Sequence, residues 1–230
     1  MLDLTTWNLT VPATSSATLI STERLNHGYS SQFFRPAGKR SVSFWVPVSG
    51  SRTASARYPR SELRETWRNG ELRNWYYGEA DNTLSAVLSV QQVPSKNKIV
   101  IGQIHSKDEP GSSNDPLLKL QYHYHNGSGR IEALLRKHPG DKNVQNIALV
   151  NDVTLDERFS YSLRITASGR LGITVLSGED DGSYYRQLSS AWGRQQLYFK
   201  AGAYVQDNYG GASEGGRVTF YHLNSVHAVK

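Results

Sequence analysis

The stretch "YFKAGAYVQ" (Tyr198–Gln206) carries two patterns at once. Successive side chains of a strand point to opposite faces, so Phe199, Ala201, Ala203 and Val205 share one wholly apolar face. That face has to be covered by a core. Tyr198, Lys200, Gly202, Tyr204 and Gln206 share the other, where phenols, an ammonium and an amide surround a glycine that leaves room for a ligand to approach the backbone.

Short alternating segments recur along the chain between Gly, Asn, Asp, Ser and Pro: "SVSFWVPV", "RSELRETW", "TLSAVLSVQQV", "KIVIGQIH", "LLKLQYHYH", "RIEALLRK", "SYSLRITAS", "RLGITVLS", "LYFKAGAYVQ" and "RVTFYHLNSV". This spacing predicts an all-β sandwich or jelly roll rather than βαβ units. Helix is expected only in "STERLNHGY" and "LSSAWG". The chain shows no repeat or linker, and residues 1–230 are expected to form a single domain. Hydrophobic residues make up 37%, with 5 Trp, 13 Tyr and 6 Phe, enough for a large core without staples.

The absence of cysteine removes disulfides, a thiol nucleophile and thiolate metal sites. No run approaches a membrane span, and "MLDLTTWNLTVP" lacks the pattern of a signal peptide. Lys+Arg number 26 against 20 Asp+Glu, giving +6 and a pI near 9.5, a balance that favours polyanions. No zinc-finger spacing or RNA-recognition motif is present, so nucleic acid is not the expected partner.

Other segments repeat the two-faced design. In "RSELRE", Arg60, Glu62 and Arg64 share a face, which reads either as a ligand-facing row or as a solvated, internally paired Arg/Glu ladder. In "GQIHS" (Gly102–Ser106), Gln103 and His105 point the same way. In "LLKLQYHYH", Lys119, Gln121, His123 and His125 oppose Leu118, Leu120, Tyr122 and Tyr124. A His-x-His pair can bind metal, but no further ligand cluster supports that, and no metal or cofactor is expected. Two long polar loops, "SKDEPGSSNDP" and "DNYGGASEGG", follow such segments and read as lids or as plain connections. Were their strands neighbours, Arg60, Gln103, His105, Lys119, Lys200 and Tyr204 would form one cationic, hydrogen-bonding floor.

"RSELRE", "QIH" and "YFKAGAYVQ", in that order, resemble the three signature blocks of alginate lyases of polysaccharide lyase family 7, and "WNLTVP" and "VTFYHL" resemble that family's terminal strands. The resemblance implies a β-jelly roll of two curved antiparallel sheets with a concave substrate groove, and cleavage of a 4-linked uronate polymer by β-elimination. It places Arg60, Gln103, His105 and Tyr204 in catalysis, and Glu62, Arg64, Lys119, Tyr198, Lys200 and Gln206 at neighbouring sugars. Val205 departs from the Asn usual at that position of the third block; on the apolar face it implies altered packing. "QIH" implies guluronate-containing substrate. The expected protein is a secreted or periplasmic, endo-acting monomer on alginate; a mannuronate-preferring lyase of the same family and a binding module for acidic polysaccharide on the same fold are the alternatives.

Overall fold

Alternation decides which side of each strand is covered, and pairing decides which strands meet. The computed structural model describes residues 2–13 and 15–229. Its strands are β1 (Trp7–Val11), β2 (Thr18–Ile20), β3 (Phe34–Gly38), β4 (Ser41–Pro47), β5 (Arg60–Glu65), β6 (Asp81–Gln92), β7 (Lys98–Ser106), β8 (Pro116–His125), β9 (Ser128–Leu135), β10 (Gln145–Val153), β11 (Phe159–Ile165), β12 (Arg170–Ser177), β13 (Asp180–Gln187), β14 (Leu197–Val205) and β15 (Gly215–Ala228). An eight-stranded sheet runs β10-β9-β8-β7-β14-β5-β1-β2, and a seven-stranded sheet runs β13-β12-β11-β6-β15-β4-β3. Every pairing is antiparallel. This is the expected two-sheet jelly roll.

All the alternating segments read from the sequence are strands, and both helical stretches are helical turns. "STERLNHGY" contains α1 (Thr22–Asn26), capped by the Ser21 hydroxyl accepting from Arg24 N–H, and "LSSAWG" contains a 3-10 turn at Ser190–Arg194. Five strands lie outside those segments: β1, which carries "WNLTVP", and β2, β3, β10 and β13, which are the edges of the two sheets.

One buried cluster fills the space between the sheets. Phe199, Ala201, Ala203 and Val205 of β14 enter it as alternation requires, with Trp7 and Leu9 of β1 and Leu118, Leu120 and Tyr122 of β8. From the other sheet come Phe44, Leu84, Leu88, Leu163 and Phe220, with Phe34, Phe44 and Phe220 packed edge to face at 5.1 and 5.3 Å between ring centroids. The small residues of β14 leave space for that aromatic stack: a Cβ on Gly202, whose φ is +138°, would come within 3.2 Å of Phe44 and 2.7 Å of the Ser61 carbonyl. A buried carboxylate links the sheets at one end. Glu65 of β5 accepts from the Trp75 indole (3.1 Å), the Phe199 amide (3.3 Å) and His227 Nε2 of β15 (2.5 Å).

Strand β7 breaks strict alternation. Ile99, Ile101 and Ile104 all belong to the core, so the inward set changes parity between Ile101 and Ile104. Pairing with β8 shifts register between Val100 and Gly102, and pairing with β14 shifts between Ala201 and Tyr204. Such bulges re-aim side chains and leave backbone groups unpaired in the ladder. Here the Tyr161 phenol, from the opposite sheet, donates to the Ile101 carbonyl at 3.1 Å. Gly102 makes the approach possible, because a Cβ there would sit 2.7 Å from Tyr161 Oη.

Gly102→Ala should therefore lower the unfolding free energy by about 1–3 kcal/mol in denaturant melts. Gly78→Ala, where a Cβ meets nothing within 4 Å, should change it little.

Candidate active site

Three adjacent strands bring the sequence-distant motifs together. In the central part of the eight-stranded sheet, β14 lies between β5 and β7. Tyr204 pairs with Arg60, Gly202 with Glu62 and Lys200 with Arg64 on one side; Lys200 pairs with Gln103 and Tyr198 with His105 on the other. Cross-strand partners on one face have Cβ atoms about 5 Å apart, so Arg60, Gln103, His105, Lys200 and Tyr204 converge. Gln103 in turn pairs with Lys119 of β8.

The centre of the group is Glu62. Only 1% exposed, its carboxylate accepts from Arg60 Nη1 (3.0 Å) and Lys200 Nζ (2.6 Å) at one oxygen and from Gln103 Nε2 (2.6 Å) at the other. The Arg/Glu row is thus internally paired, as one reading of "RSELRE" had it, but under a cleft rather than in open solvent. Glu62 was expected at neighbouring sugars; in the structure its side chain is buried and both oxygens accept from Arg60, Lys200 and Gln103. Arg64 is similarly committed: its guanidinium donates to the carbonyls of Glu65 and Arg73 and to Asn74 Oδ1, and covers the Tyr198 ring at 3.8 Å.

Burial and charge set the protonation states. Burial disfavours the Glu62 anion, but Lys200 and Arg60 outweigh it and hold the carboxyl below its ordinary range. Burial pushes the Lys200 ammonium down to about 8 despite Glu62. His105 falls to about 3, first because it is buried and then because Lys200 is close. Its Nδ1 lies 2.7 Å from the Ser106 carbonyl, which only accepts, so Nδ1 carries the proton and Nε2 keeps a free lone pair. The ring stacks on Tyr198 at 5.4 Å. Burial raises Tyr204 above the usual phenol value, partly opposed by Arg60, whose guanidinium covers the ring at 4.1 Å.

Arg60, His105 and Lys200 line a cleft of about 230 Å³ with Thr10, Thr53, Ser55, Ala56 and Asn114. The buried Arg60 Nε has no hydrogen-bond partner, so an anionic acceptor entering there satisfies it. Asn114 comes from the first of the two predicted loops; the second, through Asn208 Nδ2, donates to the carbonyl of Arg57 (3.2 Å), beside the Thr53–Ala56 turn. Sequence reasoning missed that turn, because small polar residues in a loop carry no periodic signal. Gln206 lies just beyond β14 and is half-buried, and Lys119 is half-buried beside Gln103. Among the described residues no group of three or more metal-ligating side chains converges; His123 is bound instead to Glu132 at 3.0 Å.

A cation-lined cleft holding a neutral imidazole, with the Tyr204 ring packed against the Arg60 guanidinium that lines it, suits proton transfer on a bound anion. The family model described as alginate lyase matches residues 2–227. A crystal structure of an alginate lyase from Pseudomonas aeruginosa superposes with a TM-score of 0.93 at 43% identity, covering 98% of this chain and 99% of that one. A1-II′, a member of polysaccharide lyase family 7, superposes with a TM-score of 0.86 at 27% identity, covering 100% and 97%. An alginate lyase from Klebsiella pneumoniae is 30% identical over 99% of this chain and 90% of its own length. The chain belongs to the alginate lyase family, whose structural relatives include members of polysaccharide lyase family 7.

Proposed function

We propose that this alginate lyase cleaves the 4-linked uronate polymer by β-elimination within the chain, on guluronate-containing substrate. The observation that carries the reading is the convergence on one sheet face of a carboxylate-binding cation and a base, Arg60 and His105 Nε2, which line the cleft, with an acid, the Tyr204 phenol, whose ring packs against the Arg60 guanidinium at 4.1 Å.

Removal of H5, α to the uronate carboxylate, puts a second negative charge on that group, and the barrier falls when donors are already in place. Arg60 supplies the unpaired Nε–H, and Gln103 the amide N–H not directed at Glu62. His105 Nε2 takes H5. With pKa near 3 the imidazole is a weak base before substrate arrives, but a uronate carboxylate offsets the Lys200 and Arg60 charges that depress it, raising its basicity. Tyr204 protonates O4 as the glycosidic bond breaks, leaving a C4=C5 double bond conjugated to the carboxylate.

The upward shift of Tyr204 favours guluronate. There H5 and O4 lie on opposite faces of the ring, so base and acid are separate groups and the phenol starts protonated. Mannuronate, with both on one side, would let Tyr204 do both jobs and calls for a lowered phenol. Action within the chain is supported by the groove face, which continues past the cleft to Asn8 of β1 and to Lys119 of β8. The related A1-II′ has been captured with a tetrasaccharide substrate, GGMG.

Incubation with alginate tests the activity: ultraviolet absorbance rises for a lyase and stays flat for a binding module. Tyr204→Phe and His105→Asn should each lose about 10²–10⁴-fold in kcat with an unchanged melting temperature; near-normal turnover in Tyr204→Phe removes the mechanism.

The pH profile of kcat/KM reports the free enzyme. His105 is already neutral above pH 3, so no acid limb should occur near 6.5; Lys200 loses its charge as pH rises through about 8, so an alkaline limb should occur there. Lys200→Arg should move that limb up, and Lys200→Ala should mainly raise KM.

A further inference from the structure

The seven-stranded sheet carries positive charge of its own, on the side of the molecule away from the cleft. Phe44, Leu88, Val218 and Phe220 of that sheet enter the core, so the residues that alternate with them face outward. There Arg217 of β15 pairs with Trp45 of β4, and its guanidinium covers the indole at 4.7 Å. Four residues on, β15 shifts register between Phe220 and His222, and the Tyr221 phenol lies 3.1 Å from Ser89 Oγ of β6. Arg158, the residue before β11, covers the Tyr221 ring at 3.7 Å. Between the two stacked arginines, Thr219 Oγ1 donates to Gln91 Oε1 (3.0 Å) and Gln91 Nε2 to Ser89 Oγ (2.6 Å), a strip of hydroxyls and amide.

Arg35 of the edge strand β3 points the same way, opposite Ser43. Burial first, and then the Arg35 charge, lowers Arg217 from the usual guanidinium value, so the two cations feel one another. Among the described residues, none of Arg35, Arg158 and Arg217 is in an ion pair. A ring covers one flat side of a guanidinium and leaves its N–H fork free at the edge, the geometry that receives a planar carboxylate. Packing accounts for the stacked rings; it does not account for like charges gathered where no carboxylate faces them.

The surroundings narrow the choice of anion. Single-stranded nucleic acid needs open aromatic faces on which bases stack, and guanidinium groups cover both rings here. An anionic membrane needs apolar side chains that enter lipid, and the strip consists of Thr219, Gln91 and Ser89. Carboxylates spaced by hydroxyl-bearing rings match both the arginines and the strip.

We infer that this outer face of β4, β15 and β6 is a second, non-catalytic site for the uronate polymer, where Arg35 and Arg217 hold one carboxylate, Arg158 holds another, and the strip between meets sugar hydroxyls. The inference rests on the reading of alginate as substrate. Four strand residues span about 13 Å, so the two arginine positions engage different sugars. On the sheet opposite the cleft, the site tethers the enzyme to polymer while the cleft stays free.

Calorimetry on Tyr204→Phe, which prevents turnover, should count two uronate hexamers per chain at low salt. Arg158→Gln and Arg217→Gln should each weaken the second site about 2–5-fold, and together leave one hexamer per chain. A count of one before the arginine substitutions, or of two unweakened sites after them, overturns the site. So does equally tight binding of a single-stranded oligonucleotide or of anionic vesicles there. Cleavage of a uronate trimer by Arg158→Gln/Arg217→Gln with Tyr204 intact should be unchanged, and a loss there overturns the separation from the cleft. Absence of an absorbance rise with the unmodified protein removes the lyase reading alone, since the hexamer count still decides the outer face.

Discussion

A single buried carboxylate organises this site. Arg60 and Lys200 would repel one another in a place that water solvates poorly, and both would lose hydration. Glu62, touching one at 3.0 Å and the other at 2.6 Å, leaves a cluster of one net positive charge, matched to the single negative charge of a uronate. The same group fixes the Gln103 amide, so three donors are placed before substrate arrives. Preorganised donors of this kind need no rearrangement as charge develops in the transition state.

The backbone makes that geometry possible. Without the irregularity in β7, strict alternation would carry Ile99 and Ile101 to the face that holds Gln103 and His105. The shifted pairing lets the isoleucines fill the core while the amide meets Glu62 and the imidazole lines the cleft. Its cost is a carbonyl freed from the ladder, which Tyr161 satisfies from the opposite sheet, and two glycines, Gly102 and Gly202, stand where a methyl group would collide. The floor of the site and the packing between sheets are therefore one construction.

Burial gives His105 and Tyr204 the states that the proposed reaction needs. The same desolvation pushes the His105 imidazole toward its neutral form and the Tyr204 phenol toward its protonated form. The basic balance of the chain, +6, acts at longer range by drawing a polyanion to the groove, an attraction that added salt screens.

Half-buried strands were legible in the sequence because alternation is a local property: "YFKAGAYVQ" declares its core face and its polar face without reference to any neighbour. The strands it hid are the four sheet edges, where one side lacks a partner and the pattern blurs; β13, for example, buries no residue fully, and β3 carries Pro36. The motifs likewise announced Arg60, Gln103, His105 and Tyr204 as a set. Only the tertiary structure decided that Glu62 lies buried with both oxygens accepting, that Thr53 and Ser55 reach the cleft, and that Arg60 Nε keeps no partner. Those outcomes depend on which distant strands become neighbours and share one desolvated carboxylate, and side-chain periodicity along a single strand contains no record of that.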